Sequence, residues 1–341
     1  MKEMASLDIG IDLGTSSIIA IDAKQSRIER EPAVVAVDTR TEKVIAIGTE
    51  VYKMIGRTPP HIQVVRPLAD GVISELELTE VLIKFMLKKV CRNALVKPRV
   101  AVCVPSGITN VESQAVISAT VSAGARKVYL IEEPVAAAIG AGIDLSRPNG
   151  NLIVDIGGGT TDIAVLSLNG IVSKSSIRIA GNAFDRALVK HMRKAYNMLM
   201  GEKTAEQVKM EIGSVNLDSE NIATDAKGRD LITGLPKKVK LRRNETIPIL
   251  LETAEGIVRA IQGVLERTPP ELVGDIQRNG LVLTGGGALL SGMDQFLEKR
   301  TKVKCIIAEN PQDCVAIGTA KSFQYLDKLY DGFVTPSTHT H

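Results

Sequence analysis

Apolar residues along the chain fall into short runs of strand length and longer runs whose spacing follows a helical turn. Two of the short runs end alike. In Leu152-Ile-Val-Asp-Ile-Gly-Gly-Gly-Thr-Thr-Asp162 an apolar strand reaches Asp155, a turn of glycines and threonines follows, and Ile163-Ala-Val-Leu-Ser-Leu168 leaves as a second strand. In Leu7-Asp-Ile-Gly-Ile-Asp-Leu-Gly-Thr-Ser-Ser17 a strand reaches Asp12, a glycine and hydroxyl turn follows, and Ile18-Ile-Ala-Ile21 leaves it. Asp12 matches Asp155, and Gly14 matches Gly157. One such turn is no more than a tight hairpin. Two, about half a chain apart, predict a duplicated α/β domain that grips its ligand between the halves.

Between and beyond these turns the pattern predicts further elements. Residues 32–37 and 44–47 read as strands, and breaks at Thr58-Pro-Pro60 and Arg66-Pro-Leu-Ala-Asp-Gly71 set off a small insert. Thr79 is placed to cap a mostly buried helix reaching Val90. A strand at 99–104, a helix at 111–123 and a strand at 128–131 follow. Pro134 then suits the start of a helix, which puts Glu133 at a strand-to-helix junction. Asn169-Gly170 predicts a hairpin into residues 171–179. Helices are expected from 181 to about 200, from 204 to 212 and from 249 to 266. Lys237, Lys238, Lys240, Arg242 and Arg243 alternate with Val239 and Leu241, as on a solvated strand edge. Leu281-Val-Leu-Thr-Gly-Gly-Gly-Ala-Leu-Leu290 is a third glycine turn, and residues 331–341 read as a loose polar tail.

Composition narrows the classes. A chain of 341 residues with 44% hydrophobic residues can bury the cores of about two domains. Aromatics at 3%, no Trp and a net charge of +3 argue against nucleic-acid binding. Cys91, Cys103, Cys305 and Cys314 form no CxxC pair, and the four histidines form no zinc set. Without an apolar signal core or a run of membrane-spanning length, the chain reads as soluble and cytoplasmic.

The chemistry follows from the turns. Successive glycines Gly157, Gly158 and Gly159 remove every Cβ, so backbone N–H groups can approach an anion closely. Thr15, Ser16 and Ser17 in one turn, and Thr160 and Thr161 in the other, add hydroxyls beside a terminal phosphate. Asp155 can hold magnesium directly or through its waters. Glu133 either complements a helix dipole or faces the cleft and orients an attacking water. Glu206 and Lys209, one helical turn apart, read by spacing alone as a solvated ion pair. No G-x-x-x-x-G-K-[ST] loop, Rossmann fingerprint or nucleophile elbow is present. Magnesium–ATP binding with slow phosphoryl transfer to water fits this set.

At these residues the chain resembles the actin and heat-shock-chaperone ATPase superfamily: Asp12-Leu-Gly-Thr, the Asp155–Asp162 turn, Ile131-Glu-Glu-Pro-Val-Ala-Ala-Ala138 and Leu283-Thr-Gly-Gly-Gly287. Met54-Ile-Gly-Arg-Thr-Pro59, Arg66-Pro-Leu-Ala-Asp-Gly-Val-Ile73, Val104-Pro-Ser-Gly107, Ser122-Ala-Gly-Ala-Arg126 and Cys314-Val-Ala-Ile-Gly318 narrow the resemblance to the MreB family of bacterial cell-shape actins.

The resemblance implies a duplicated actin-like, ribonuclease-H-like ATPase fold with the nucleotide in a central cleft. Core domain I would take residues 1–30, 71–148 and about 318–330, with an insert at 31–70; core domain II would take 149–180 and 252–317, with an insert at 181–251. It puts Gly14 to Ser17 and Gly157 to Thr161 around the phosphates, and Asp12 and Asp155 on magnesium. It puts Glu206, Gln207 and Lys209 at the ribose and base, Gly285, Gly286, Gly287 and Ala288 over the adenosine, and Glu133 and Thr160 at the hydrolytic water. It implies slow conversion of ATP to ADP and head-to-tail homopolymers, commonly paired. These would lie on the anionic inner face of the cytoplasmic membrane, reached through Leu95 and Val96, beside membrane proteins of the cell-shape machinery. A small-molecule kinase and a chaperone-type ATPase are the alternatives within the superfamily. Ser16-Ser17 replaces the family's Ala-Asn, and Asn182-Ala183 its Gly-Asp, so turnover is expected to be low.

Overall fold

A computed structural model describes residues 7–25, 27–92, 96–326 and 333–334. Two sheets share one plan. In the first, Asp8–Leu13, Ser17–Asp22 and Arg27–Pro32 form an antiparallel meander, and Arg99–Val104 and then Lys127–Glu132 extend it in parallel from Asp8–Leu13. In the second, Asn151–Ile156, Thr161–Ser167 and Gly170–Ile177 form the meander, and Leu281–Thr284 and Cys305–Ile307 extend it in parallel. The duplication holds residue for residue at the turns. Asp12 pairs across its hairpin with Ile19, and Asp155 with Asp162. Gly14 N–H donates to Ser17 O at 3.1 Å, and Gly157 N–H to Thr160 O at 2.9 Å.

Each sheet packs on helices to form its own core. Helices Leu76–Cys91 and Asn110–Ser122 cover the first sheet. Helix Arg243–Glu266 lies against the second, beside Phe184, Leu188 and Met192 of helix Gly181–Tyr196. A third cluster joins the halves: Val135 to Ile139 pack between Cys103 and Ile131 of one sheet and Ile153 and Ala164 of the other. There helix Glu133–Gly140 crosses helix Cys314–Lys321 with no room for side chains. A Cβ on Gly318 would sit 2.6 Å from the Ala136 carbonyl carbon, and one on Gly140 would sit 2.9 Å from the Cys314 Cα.

Two small three-stranded sheets flank the large ones; the first has its own cluster around Val34, Ala36 and Val51, and the second adds Met198, Ala226 and Leu241 to the core of the second large sheet. Val35–Asp38 pairs with Lys43–Ile47 and Ile62–Val65, and Ala223–Asp230 pairs with Met198–Leu199 and Pro236–Arg242.

Several elements differ from the sequence pattern. The strand Arg27–Pro32, Arg-Ile-Glu-Arg-Glu-Pro, forms the outer strand of the first sheet, where charged side chains can face solvent. Thr79 does not cap its helix, which starts at Leu76; its buried hydroxyl donates to Glu75 O at 2.8 Å. The helix expected to reach about residue 200 stops at Tyr196, where Asn197 adopts a left-handed conformation at φ 49°. The helix expected from 249 begins at Arg243 and carries Pro248 within it. Glu245 secures that start by accepting the Arg242 N–H at 2.9 Å and the Tyr196 hydroxyl. Within the expected tail, Phe333–Val334 pairs antiparallel with Leu130 and Ile131. The remainder of that tail lies outside the described residues.

Candidate functional site

The two hairpin turns meet face to face between the halves, at the carboxyl ends of the parallel strands, where open α/β sheets leave a crevice. A Cβ on Gly158 would lie 2.8 Å from Ser16 Cβ, and one on Gly159 would lie 3.0 Å from both Thr15 Cβ and Asp70 Cα. Only glycine lets the turns close to this separation. The start of helix Gly181–Tyr196 docks on the second turn, with Gly181 N–H donating to Gly157 O at 3.1 Å and Asn182 N–H to Gly158 O at 2.8 Å. Gly71 N–H donates to Thr15 Oγ1 at 3.1 Å.

Around these turns lies a cleft of ≈ 500 Å³. Asp12, Gly14 to Ser17, Glu133, Asp155, Gly157 to Thr160, Glu206, Lys209 and Gly285 to Gly287 all line it. Three expected residues do not. Thr161 turns its hydroxyl away, donating to Ile179 O at 2.6 Å. Gln207 stands on the exposed face of helix Glu202–Ile212. Ala288 is buried in the short helical turn Gly286–Leu289. Val96 is 45% exposed beyond helix Leu76–Cys91, and Leu95 lies outside the described residues.

The cleft also takes Asn182, expected to bear on turnover, and residues that the sequence did not place there: Arg30, Met210, Gly213, Arg243, Leu290 and Gln312. Arg30 is ion-paired with Asp313. Arg243, expected on a solvated strand edge, instead begins a helix and donates to Ile212 O at 3.0 Å. Leu290 lies beside Gly213, where an added Cβ would be 3.1 Å from Leu290 Cδ1. With Met210 and Leu289 it gives this end of the cleft an apolar wall. Glu206 and Lys209 do not pair with each other. Lys209 Nζ reaches Asp185 Oδ1 at 2.9 Å and Gly181 O at 3.0 Å, while Glu206 accepts the Tyr52 hydroxyl at 2.6 Å.

The neighbouring glutamates at the strand-to-helix junction divide their work. Glu132 accepts Ser106 Oγ at 2.8 Å and Lys174 Nζ at 2.6 Å, which ties the two halves together. Glu133 opens the helix with its side chain on the cleft. Asp162 is fully buried, and its Oδ1 accepts Ser106 N–H at 2.8 Å in a second tie.

Four carboxyl groups thus crowd together at the floor of the cleft. Burial, and then the charge of Asp155, push Asp12 up to about 7. Burial pushes Asp155 up to about 7, against the Thr284 hydroxyl that donates to its Oδ1 at 2.6 Å. Burial raises Asp162 to about 6, opposed by the Ser106 N–H. Glu133 stands well above the usual carboxylate range through burial and the charges of Asp162, Asp155 and Asp12. Burial disfavours charge on both members of the Glu133–Asp162 pair, and a shared proton would relieve it. Asp162 Oδ2, buried without a partner in hydrogen-bonding geometry, is a ready acceptor for that proton.

Among the described residues no set of three or more His, Cys, Asp or Glu side chains is arranged to hold a metal ion. The pair Asp12 and Asp155 nonetheless fits magnesium, a hard cation held by one or two carboxylates that completes its shell with water and phosphate oxygens. Their mutual repulsion is what a divalent cation relieves. The facing turns suit a polyphosphate, and the apolar wall by Met210 and Leu290 suits a planar base. No helix among the described residues is long and apolar enough to cross a membrane.

Comparison with known proteins agrees with this geometry. The profile of the family described as MreB/Mbl protein matches residues 6–331. The cell shape-determining protein Mbl of Bacillus subtilis (strain 168) is 45% identical over 327 residues, 96% of this chain and 98% of its own. The cell shape-determining protein MreB of Escherichia coli (strain K12) is 44% identical over 332 residues, 96% of each. The crystal structure of MreB 5 of Spiroplasma citri bound to AMPPNP superposes with a TM-score of 0.90 at 37% identity, over 95% of this chain and 98% of that one. The actin-like fold extends to a MamK double helical filament structure, with a TM-score of 0.78 at 18% identity over 94% of this chain and 99% of that one. With its duplicated sheets and facing glycine turns, the chain belongs to the MreB/Mbl family of cell-shape-determining bacterial actins.

Proposed function

We propose that this chain binds magnesium–ATP in the central cleft, hydrolyses it slowly, and assembles head to tail into paired homopolymers. In this reading the filaments lie on the inner face of the cytoplasmic membrane and help to determine cell shape. One observation carries the proposal: two glycine turns, each following a strand that ends on a buried aspartate, face one another across a cleft sized for a nucleotide. The Spiroplasma citri relatives, solved with AMPPNP and with ADP, support a nucleotide as the ligand.

The chain's own groups divide the task. Backbone N–H groups of Gly14 to Ser17 and Gly157 to Thr160 receive the phosphates. Magnesium, when bound at Asp12 and Asp155, supplies the charge that neutralises them. Gly285 to Gly287 let the adenosine lie against backbone, and Glu206 accepts from the ribose. Thr160 and Glu133 orient the water that attacks the terminal phosphate. Glu133 takes up a proton readily because burial disfavours its charge, and Asp162 can share that proton. The raised carboxyl groups and the serines at 16 and 17 suit slow turnover. Core domain I at 1–30, 71–148 and about 318–330, core domain II at 149–180 and 252–317, and the inserts at 31–70 and 181–251 are the four bodies we assign.

At the membrane, Leu95 and Val96 would enter the lipid while Arg92 and Lys97 meet anionic headgroups, and many such loops along a filament act together; Arg99 is held by the Asp8 carboxylate at 2.7 and 2.8 Å. Nucleotide-dependent sedimentation is the test of the reading: a kinase stays in the supernatant with ATP, whereas a filament pellets.

A further inference from the structure

The two small inserts reach one another at the mouth of the cleft. Tyr52, on the short helix Thr49–Met54, donates its hydroxyl to Glu206 Oε2 at 2.6 Å. Lys203, one turn before Glu206 on helix Glu202–Ile212, donates to the Tyr52 carbonyl at 2.9 Å and lies 4.3 Å from the centre of its ring. Tyr52 is thus gripped at backbone, ring and hydroxyl by a segment about 150 residues later, a long-range arrangement rather than a local turn.

Glu206 matters because of what surrounds it. It lines the cleft, and its neighbour Lys209 is committed to Asp185 and the Gly181 carbonyl. Asp12, Asp155 and Glu133 stand by the phosphate turns. Glu206 is therefore the carboxylate available toward the apolar end, beside Met210. A free glutamate loses side-chain entropy when a ligand orders it, so a partner that fixes one oxygen in advance strengthens the bond made by the other. Burial and the Glu206 carboxylate raise the Tyr52 phenol to about 12, which keeps it protonated and a donor at working pH.

We propose that Tyr52 is a positioning residue for sugar recognition: its hydroxyl, reaching from the opposite insert, holds the Glu206 carboxylate so that the second oxygen accepts from the ribose hydroxyls. The inference rests on the nucleotide reading of the cleft. It adds that a ribonucleotide is recognised in full only when the inserts are together, so that sugar contact and closure of the cleft mouth are linked.

The test is isothermal titration of full-length wild type, Tyr52→Phe and Glu206→Gln with magnesium–ATP and with magnesium–2′,3′-dideoxyATP. Phenylalanine keeps the ring under Lys203 and the helix packing, and removes only the O–H; thermal unfolding confirms that the variants fold. Wild type should prefer ATP over the dideoxy analogue by roughly tenfold or more, as for a hydrogen bond to a charged acceptor. Tyr52→Phe should lose about three- to tenfold in ATP affinity and keep its affinity for the analogue. Glu206→Gln should shrink the preference in the same way. Equal weakening of both nucleotides by Tyr52→Phe, or no change in either, would overturn the sugar role and leave Tyr52 as a bridge between inserts. Equal wild-type affinity for ATP and the analogue would also overturn it, with the cleft reading intact. If wild type bound neither nucleotide, the cleft reading itself would fall, and the role of Tyr52 with it.

Discussion

Asp155→Asn should raise stability and abolish metal-dependent binding at once. Asp155 is 4% exposed, and its carboxyl is raised from 3.8 to about 7 by burial. Asparagine keeps the shape, and its Oδ1 can still accept the Thr284 hydroxyl, now at 2.6 Å from the carboxylate. A carboxyl whose folded pKa lies above its unfolded value favours folding fully below the unfolded pKa, and loses that contribution as pH rises through the folded pKa. About three decades at roughly 1.4 kcal/mol each set a ceiling of about 4 kcal/mol on the burden that the charge imposes at pH 8. Water entering the open cleft lowers this to the order of 2 kcal/mol. At roughly 2 °C per kcal/mol for a chain of this size, the nucleotide-free variant should melt about 4 °C above wild type at pH 8. Less than half of that gap should remain at pH 5. Saturating magnesium–ATP should reverse the order, because about 100 Kd of ligand adds about 2.7 kcal/mol to wild type alone. Thermal unfolding of both proteins at pH 5 and pH 8, with and without magnesium–ATP, measures all four cases. A variant that melted below wild type at pH 8 without nucleotide, or a gap independent of pH, would refute the view that burial strains this carboxylate.

Other predictions draw on single contacts. Glu133→Ala should still bind ATP but release phosphate roughly a hundredfold more slowly, the scale of a lost positioned base; an unchanged rate would return Glu133 to a helix-start carboxylate. Gly318→Ala should lower stability to urea by about 1–3 kcal/mol, because its new Cβ meets the Ala136 backbone, which cannot swing aside. An unaltered urea midpoint would mean that the helices slide apart freely. Leu95→Ser with Val96→Ser should weaken co-sedimentation with anionic vesicles when polymerisation is matched, and equal pelleting of both proteins would remove that loop as the anchor.

The duplication could be read from sequence because it is local. Each strand, aspartate, glycine turn and return strand occupies one continuous stretch, and the paired registers of Asp12 with Ile19 and of Asp155 with Asp162 keep the match. What could not be read depends on distance along the chain. Arg30 and Arg243 reach the cleft through packing against Asp313 and the Ile212 carbonyl. Glu206 and Lys209 looked like a helix ion pair, yet each finds a partner on another element, Tyr52 and Asp185. Local signals also misled where tertiary contacts overrode them. The pattern predicts a helix from 249, but the Glu245 bonds to Arg242 and Tyr196 start it at Arg243, ahead of Pro248. The charges of Arg27–Pro32 hid a strand because an outer strand tolerates them.

Sedimentation of the full-length protein with magnesium–ATP, with magnesium–ADP and without nucleotide, followed by electron microscopy of the pellets, bears on cleft and filament together. Wild type should pellet as thin paired filaments with magnesium–ATP and much less without nucleotide, and Asp155→Asn should stay in the supernatant in every case. Wild type remaining in the supernatant with magnesium–ATP, or pelleting equally whether or not nucleotide is present, would contradict a nucleotide-driven filament.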